Sequence, residues 1–249
     1  MKWCSDGFSI EVLYSLPGVA TQVVASIGGV LDILIDCGDG VLRDLLMGYY
    51  LDAELFNRIA AVLISHEHFD HVGGLYSLMD FMHMIGRVER LIVAVPRPSI
   101  VVKGFIRAVE EWRGGLSYGV DLIEVVDGDV LHIDPVEVRA FEVVHRSRTR
   151  MEPHGRRVPA VGYSLSYGGV RVVYSGDTGP CPSLEREVEG ADLAILEATW
   201  GRGEVLGDSH LTEDEAIRLG EKARHYILIH RRSRLMEILE ELEREGRRA

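Results

Sequence analysis

Apolar positions along this chain fall into short runs of two spacings, one suited to strands and one to helices. Residues 8–14, 21–27 and 30–35 are rich in β-branched and other apolar residues, with Pro17-Gly18 and Gly28-Gly29 between them. Runs of that length, bounded by turn formers, read as strands. After Asp36-Cys37-Gly38-Asp39-Gly40 the spacing becomes helical over 41–48. The pattern then predicts a buried strand over 60–64, an apolar helix over 75–84, a strand over 91–95 closed by Pro96-Arg97-Pro98, and a helix over 100–111. From 121 to 174 it is mostly β, clearest at 136–144, 160–166 and 170–174, and a further strand follows at 191–196. Thr212-Glu213-Asp214-Glu215 has the form of a capping box, so a helix should start there and run to about Arg224. A last strand at 226–229 and a charged helix at 235–244 complete the series.

Strands arrive in blocks, with helices between the blocks. That order favours two mixed sheets with helices outside them over a regular βαβ barrel. The expectation is an α/β fold laid out as a four-layer αββα sandwich, with residues 1–249 forming one domain because no linker, repeat or compositional break divides them. Hydrophobic residues make up 47% and charged residues 27%, which supplies a core and excludes low-complexity disorder. No apolar run approaches the ~20 residues needed to cross a bilayer, and the first residues lack the layout of a signal peptide. The three cysteines, Cys4, Cys37 and Cys181, are too few and too scattered for a disulfide framework or a thiolate zinc cluster. A soluble cytoplasmic protein with no membrane partner is expected.

The formal net charge of −12 makes the chain a poor general binder of nucleic acid, because phosphates are held mainly by Lys and Arg. One local cluster opposes that sum: Arg146, Arg148, Arg150, Arg156 and Arg157, with His154 among them. Guanidinium groups there could clamp phosphate oxygens bidentately, or pair with the surplus Glu and Asp on a solvated loop.

The chemistry concentrates at Ser65-His66-Glu67-His68-Phe69-Asp70-His71, directly after the apolar strand at 60–64. Imidazole and carboxylate together suit zinc and similar divalent ions, and four such groups within six residues are hard to explain as a solvated turn. Three more candidates share a position just past a strand: His145 after 136–144, Asp177 after 170–174, and His230 after 226–229. Open α/β structures gather their sites at such strand ends.

In that order the residues resemble the metallo-β-lactamase superfamily, whose ligands run HxHxDH, His, Asp, His. The resemblance spans nearly the whole chain. It implies one metal held by His66, His68 and His145, a second held by Asp70, His71 and His230, and Asp177 bridging the two. The ions are expected to be Zn2+, with Mn2+ or Fe as alternatives, since all accept His/Asp sets. Two such cations acidify a bridging water, so the implied reaction is attack by metal-bridged hydroxide on a phosphorus or carbonyl centre, with Asp70 orienting the nucleophile or shuttling its proton.

Three further segments resemble the ribonuclease Z branch, whose members process tRNA 3′ ends. They are Asp36-Cys37-Gly38-Asp39-Gly40-Val41-Leu42-Arg43-Asp44-Leu45-Leu46, Leu196-Glu197-Ala198-Thr199, and Ser209-His210-Leu211-Thr212 with the later Leu228-Ile229-His230. The resemblance implies that Glu197 and His210 act as an acid pair protonating the leaving oxygen. Three departures bear on the substrate. Leu196 replaces the His that opens the branch's HEAT motif, and residues 16–21 lack its Arg-Asn pair. The 31 residues between His145 and Asp177 are too few for the long tRNA-gripping arm. The leading expectation is therefore a two-metal phosphodiester hydrolase whose substrate could be precursor tRNA. The alternatives are a small-molecule metallo-hydrolase of cyclic nucleotide phosphodiesterase, arylsulfatase or lactonase type, and a metal-binding protein without turnover. The branch also includes homodimers.

Overall fold

Two β-sheets stack face to face, and helices cover both outer surfaces. The computed structural model describes residues 1–48, 53–147, 155–203 and 209–246. The first sheet follows chain order through β1 (Lys2–Ser5), β2 (Phe8–Leu16), β3 (Ala20–Ile27), β4 (Leu31–Ile35), β5 (Ile59–Leu63), β6 (Leu91–Pro96) and β7 (Val120–Val125). Strands β1 to β4 pair antiparallel, and β4 to β7 pair parallel. Parallel neighbours need crossovers, and helices supply them. These are α1 (Val41–Gly48), the pair α2 (Phe69–Val72) and α3 (Leu75–Met84), and α4 (Val101–Arg113).

The second sheet contains β8 (Val130–Ile133) and β9 (Val136–Glu142). A two-residue ribbon, β10 (Arg146–Ser147) with β11 (Arg156–Arg157), precedes its remaining strands. Those are β12 (Val161–Tyr167), β13 (Val170–Tyr174), β14 (Leu193–Glu197) and β15 (Tyr226–Ile229), giving the order β15-β14-β13-β12-β9-β8. Helix α5 (Pro182–Val188) connects β13 to β14, α6 (Glu213–Gly220) connects β14 to β15, and α7 (Arg232–Gly246) follows.

Three apolar clusters hold the layers together. Ile33, Ile35, Ala61 and Leu63 meet Val138, Leu165, Val172 and Ile195 between the sheets. Their neighbours Leu34, Val62 and Ile64 point the other way, onto Val41, Leu45, Leu78 and Val102 of the outer helices. Across the molecule Val173, Ala194 and Leu196 pack on Leu184, Val188 and Ala216. Successive strand residues thus bury opposite faces, which is why these strands read as continuous apolar runs rather than alternating ones. The expected αββα sandwich is the arrangement found.

Several elements differ from the expectation. Edge strand β1 was not foreseen, because half-exposed Lys2-Trp3-Cys4-Ser5 carries no buried alternation. Helix α5 was also missed: seven residues with only Leu184 and Val188 buried are too few to show a helical period. The capping box at Thr212 is present, with Glu215 N donating to Thr212 Oγ1 and Thr212 N donating to Glu215 Oε2. The helix it opens stops at Gly220, where a Cβ would lie 2.5 Å from the Tyr226 ring.

The loop after β4 seats the start of α2 at very close range. Cys37 N donates to His71 O at 2.7 Å, and Gly74 N donates to Cys37 O at 2.9 Å. A Cβ on Gly38 would lie 2.4 Å from Asp70 O and 2.6 Å from Thr21 N, so only glycine lets these backbones meet. Gly38→Ala is expected to destabilise the protein by about 2 kcal/mol or more in urea unfolding. Gly48→Ala in α1, with no atom of the described residues within 4 Å of the added methyl, should change stability by less than ~0.5 kcal/mol or raise it slightly.

Candidate metal centre

Polar groups collect where strands of both sheets end. Asp36 follows β4, residues 65–71 follow β5, His145 lies beyond β9, Asp177 follows β13, Glu197 closes β14, and His230 follows β15. Apart from partly buried His68 and His210, all the candidate His and Asp donors are buried. His68, Asp70, His145, Asp177, His210 and His230 line a cavity of about 520 Å³ together with Pro17, Phe69, Arg146 and Trp200.

Ring nitrogens of three histidines converge. His66 Nε2 lies 2.9 Å from His68 Nδ1, which lies 3.1 Å from His145 Nε2. The outward nitrogens of two of these rings are already engaged. Ser65 Oγ donates to Asp36 Oδ2 at 2.8 Å, so His66 Nδ1–H donates to Ser65 Oγ at 3.1 Å. His145 Nδ1–H donates to Ser209 O at 3.0 Å. Their inward Nε2 atoms therefore carry lone pairs, assigned from the hydrogen-bond network. Burial, which penalises the imidazolium, holds His66, His68 and His145 below the ordinary histidine range, His145 at about 3. Neutral imidazoles are the form that binds a metal.

The second group lies beside the first. Asp177 turns Oδ2 toward His66 Nε2 at 3.9 Å and Oδ1 toward His71 Nε2 at 3.5 Å, spanning both sets. Asp70 Oδ2 is 3.3 Å from His230 Nε2 and 3.8 Å from His71 Nε2, and it accepts from Gly18 N at 2.8 Å. Burial pushes the Asp70 carboxyl up, but the His230 hydrogen bond and nearby His71 outweigh it and hold it down at about 2. The triads His66-His68-His145, His66-His71-Asp177 and Asp70-His71-His230 each bring their donor atoms within 4.8 Å of one another and could hold a metal ion. Fully buried His71 Nε2 has no hydrogen-bond partner and faces two carboxylates, an arrangement that fits a metal ligand.

Asp36 holds this group from behind. Its carboxylate accepts from Ser65 N (2.7 Å), Ser65 Oγ (2.8 Å), His71 Nδ1 (2.7 Å) and Tyr174 OH (2.6 Å). The bond to His71 leaves Nε2 toward Asp70 and Asp177, the usual way an outer carboxylate fixes a ligating histidine. Reasoning from sequence singled out Asp36 only inside a family-like segment. Its position just past a buried strand was the same signal that marked Asp177.

Glu197 and His210 meet next to these clusters. Fully buried Glu197 accepts from Thr178 N, Thr199 N, Thr199 Oγ1 and Leu211 N, and His210 Nδ1 donates to its Oε1 at 2.9 Å. Burial lowers the His210 pKa, but the Glu197 charge and hydrogen bond more than reverse this and lift it to about 9. Thr199 Oγ1 also accepts from His230 Nδ1 at 2.9 Å, so one hydroxyl links Glu197 to His230. Trp200 packs edge-on to His210, with Arg232 over its ring at 5.8 Å.

Three members of the arginine cluster lie among the described residues. Arg146 lines the cavity, exposed Arg157 pairs with Glu142, and exposed Arg156 faces Ser147 across the ribbon. Arg148, Arg150 and His154 lie outside the described residues. Cys37 is buried, and that burial pushes its thiol up, away from nucleophilic use.

Residues 32–231 match the family model described as the beta-lactamase superfamily domain. The chain belongs to the β-lactamase superfamily. It is similar to a ribonuclease Z from Ignicoccus hospitalis, at 28% identity over 254 residues covering 86% of this chain and 83% of that one. It is also similar to a ribonuclease Z from Thermococcus onnurineus, at 27% identity, covering 86% and 78%. Among solved structures, the human short-form tRNase Z superposes with a TM-score of 0.70 at 23% identity, covering 89% of this chain and 92% of that one. The Bacillus subtilis metallo-β-lactamase fold protein YhfI gives 0.71 at 22%, covering 91% and 87%. Superfamily membership and the His/Asp clusters together indicate a metal-dependent hydrolase.

Asp36→Asn replaces an acceptor of four hydrogen bonds with a group that also donates. It is expected to weaken zinc binding by about 10- to 100-fold in a chelator competition.

Proposed function

We propose that this chain is a two-metal phosphodiesterase of ribonuclease Z type, cutting RNA on the 3′ side of a mature tRNA sequence. The observation that carries this reading is the charged pair of Glu197 and His210 beside the two donor clusters, with His210 Nδ1 3.8 Å from Asp177 Oδ2. An esterase that expels a stabilised leaving group has little use for such a pair, whereas a ribose alkoxide must be protonated as it leaves. The names of the curated relatives support the same substrate class.

In this reading His66, His68 and His145 would hold one cation, Asp70, His71 and His230 would hold the other, and Asp177, which faces both sets, would serve the two. When bound, the two cations supply an activated water as nucleophile and neutralise charge on the phosphoryl oxygens. Zinc is the proposed metal, since three imidazoles and shared carboxylates suit it. Asp70, held low in pKa and fixed by Gly18 N and His230, orients the nucleophile as an acceptor. Glu197, saturated by backbone donors, accepts from His210 Nδ1 and keeps a proton there, so Nε2 is the atom that passes its proton to the leaving oxygen. Arg146 on the cavity wall is placed to meet a phosphate.

A second reading, hydrolysis of a small ester, draws on the net charge of −12 and on the commitment of Arg157 to Glu142. Zinc-loaded protein incubated with a precursor tRNA carrying a 3′ trailer separates the two. A single cut after the discriminator, abolished by Asp70→Ala and by chelation, is the expected result. Intact RNA alongside hydrolysis of a simple aryl phosphodiester would replace the tRNA reading with the small-ester one. His210→Ala should lower kcat by about 10²- to 10⁴-fold on RNA, and far less on a p-nitrophenyl diester, whose leaving group needs no proton.

A further inference from the structure

Glu67 stands between two of the clustered histidines yet turns away from them. Its carboxylate reaches the start of α4, 32 to 35 residues later in the chain. Ser99 Oγ donates to Oε1 at 2.8 Å and Val102 N at 2.9 Å. Ile100 N donates to Oε2 at 2.9 Å and to Oε1 at 3.2 Å, and Val101 N donates to Oε2 at 3.1 Å. Helix α4 makes no cap of its own: the residue before its first turn is Ile100, which has no side-chain hydrogen bond to the helix. The first N–H groups of a helix have no partner within it, and its positive end favours a carboxylate. Glu67 supplies both needs at once.

The bonds act in the other direction as well. The segment from Ile64 to His68 is a loop between β5 and α2, and it holds His66 Nε2 2.9 Å from His68 Nδ1. Asp36 fixes the loop on the Ser65 side and Gly38 packs under Asp70 on the other. Between them, Glu67 is the side chain that ties the loop to a 13-residue helix, which Val102, Ile106 and Val109 anchor on the first sheet. We propose that Glu67 is a positioning residue for the metal centre. By capping α4 it sets the spacing of the His66 and His68 rings, so that metal affinity depends on a helix that contributes no donor. The inference rests on the assignment of those two histidines as ligands.

The test compares zinc affinity, by competition with a chelating dye, and the stability of the metal-free protein in urea, for three variants. Glu67→Ala is expected to weaken zinc binding by about 10-fold or more, with Glu67→Gln intermediate because its amide oxygen still accepts. Ala108→Gly, at an exposed site on α4 far from Glu67, weakens the helix without touching the loop. It should lower stability while leaving zinc affinity within about 2-fold. If Glu67→Ala and Glu67→Gln lose stability but no more zinc affinity than Ala108→Gly, Glu67 is only a helix cap and the proposal is overturned. If His66→Ala and His68→Ala themselves leave zinc binding unchanged, the ligand assignment fails instead. Should Glu67→Ala not fold, Ser99→Ala and Glu67→Gln give the same comparison.

Discussion

One buried carboxylate organises the strand ends. Asp36 is shut off from solvent and takes hydrogen bonds from the loop after β5, from His71, and from Tyr174 at the end of β13 in the opposite sheet. A buried charge is tolerable only when its lone pairs are filled, and here four donors fill them. The two sheets are thereby locked at the edge where the candidate ligands lie. Were this carboxylate misplaced, His71 would lose its orientation and Ser65 its anchor, and the nitrogens of the HxHxDH run would no longer face a common point.

The sheet architecture explains why this edge can hold so many polar groups. Strands β4 to β6, and β13 to β15, are covered on both faces by apolar layers. Only past their C-terminal ends can a polar side chain escape the core. The β-lactamase superfamily donor pattern then follows from a simple rule, one or a few polar residues immediately after each buried strand, with backbone groups and outer carboxylates supplying the orientation.

Much of this was legible in the sequence because it is local. The run from His66 to His71 is contiguous, and His145, Asp177 and His230 each follow an apolar strand whose length and composition stand out. The acid pair was legible only through family resemblance, since nothing in the spacing of Glu197 and His210 says that they touch. Contacts between residues far apart in sequence left no mark. Glu67 caps a helix that begins 34 residues away, and Asp36 meets Tyr174 across 138 residues. Within the arginine cluster the spacing did not say which side chain would turn inward, although Arg146 and Arg157 sit opposite each other in the ribbon. Backbone pairing in the ribbon sends Arg146 to the cavity and leaves Arg157 beside Glu142.

The donors are divided almost evenly between the two sheets, with His66 to His71 from the first and His145, Asp177 and His230 from the second. A ribosome must therefore emit the chain as far as Ile229-His230 before the last donor can reach the cluster. An incomplete nascent chain cannot assemble the full set, whatever metal surrounds it. The candidate set is therefore complete only once the second sheet has closed on the first.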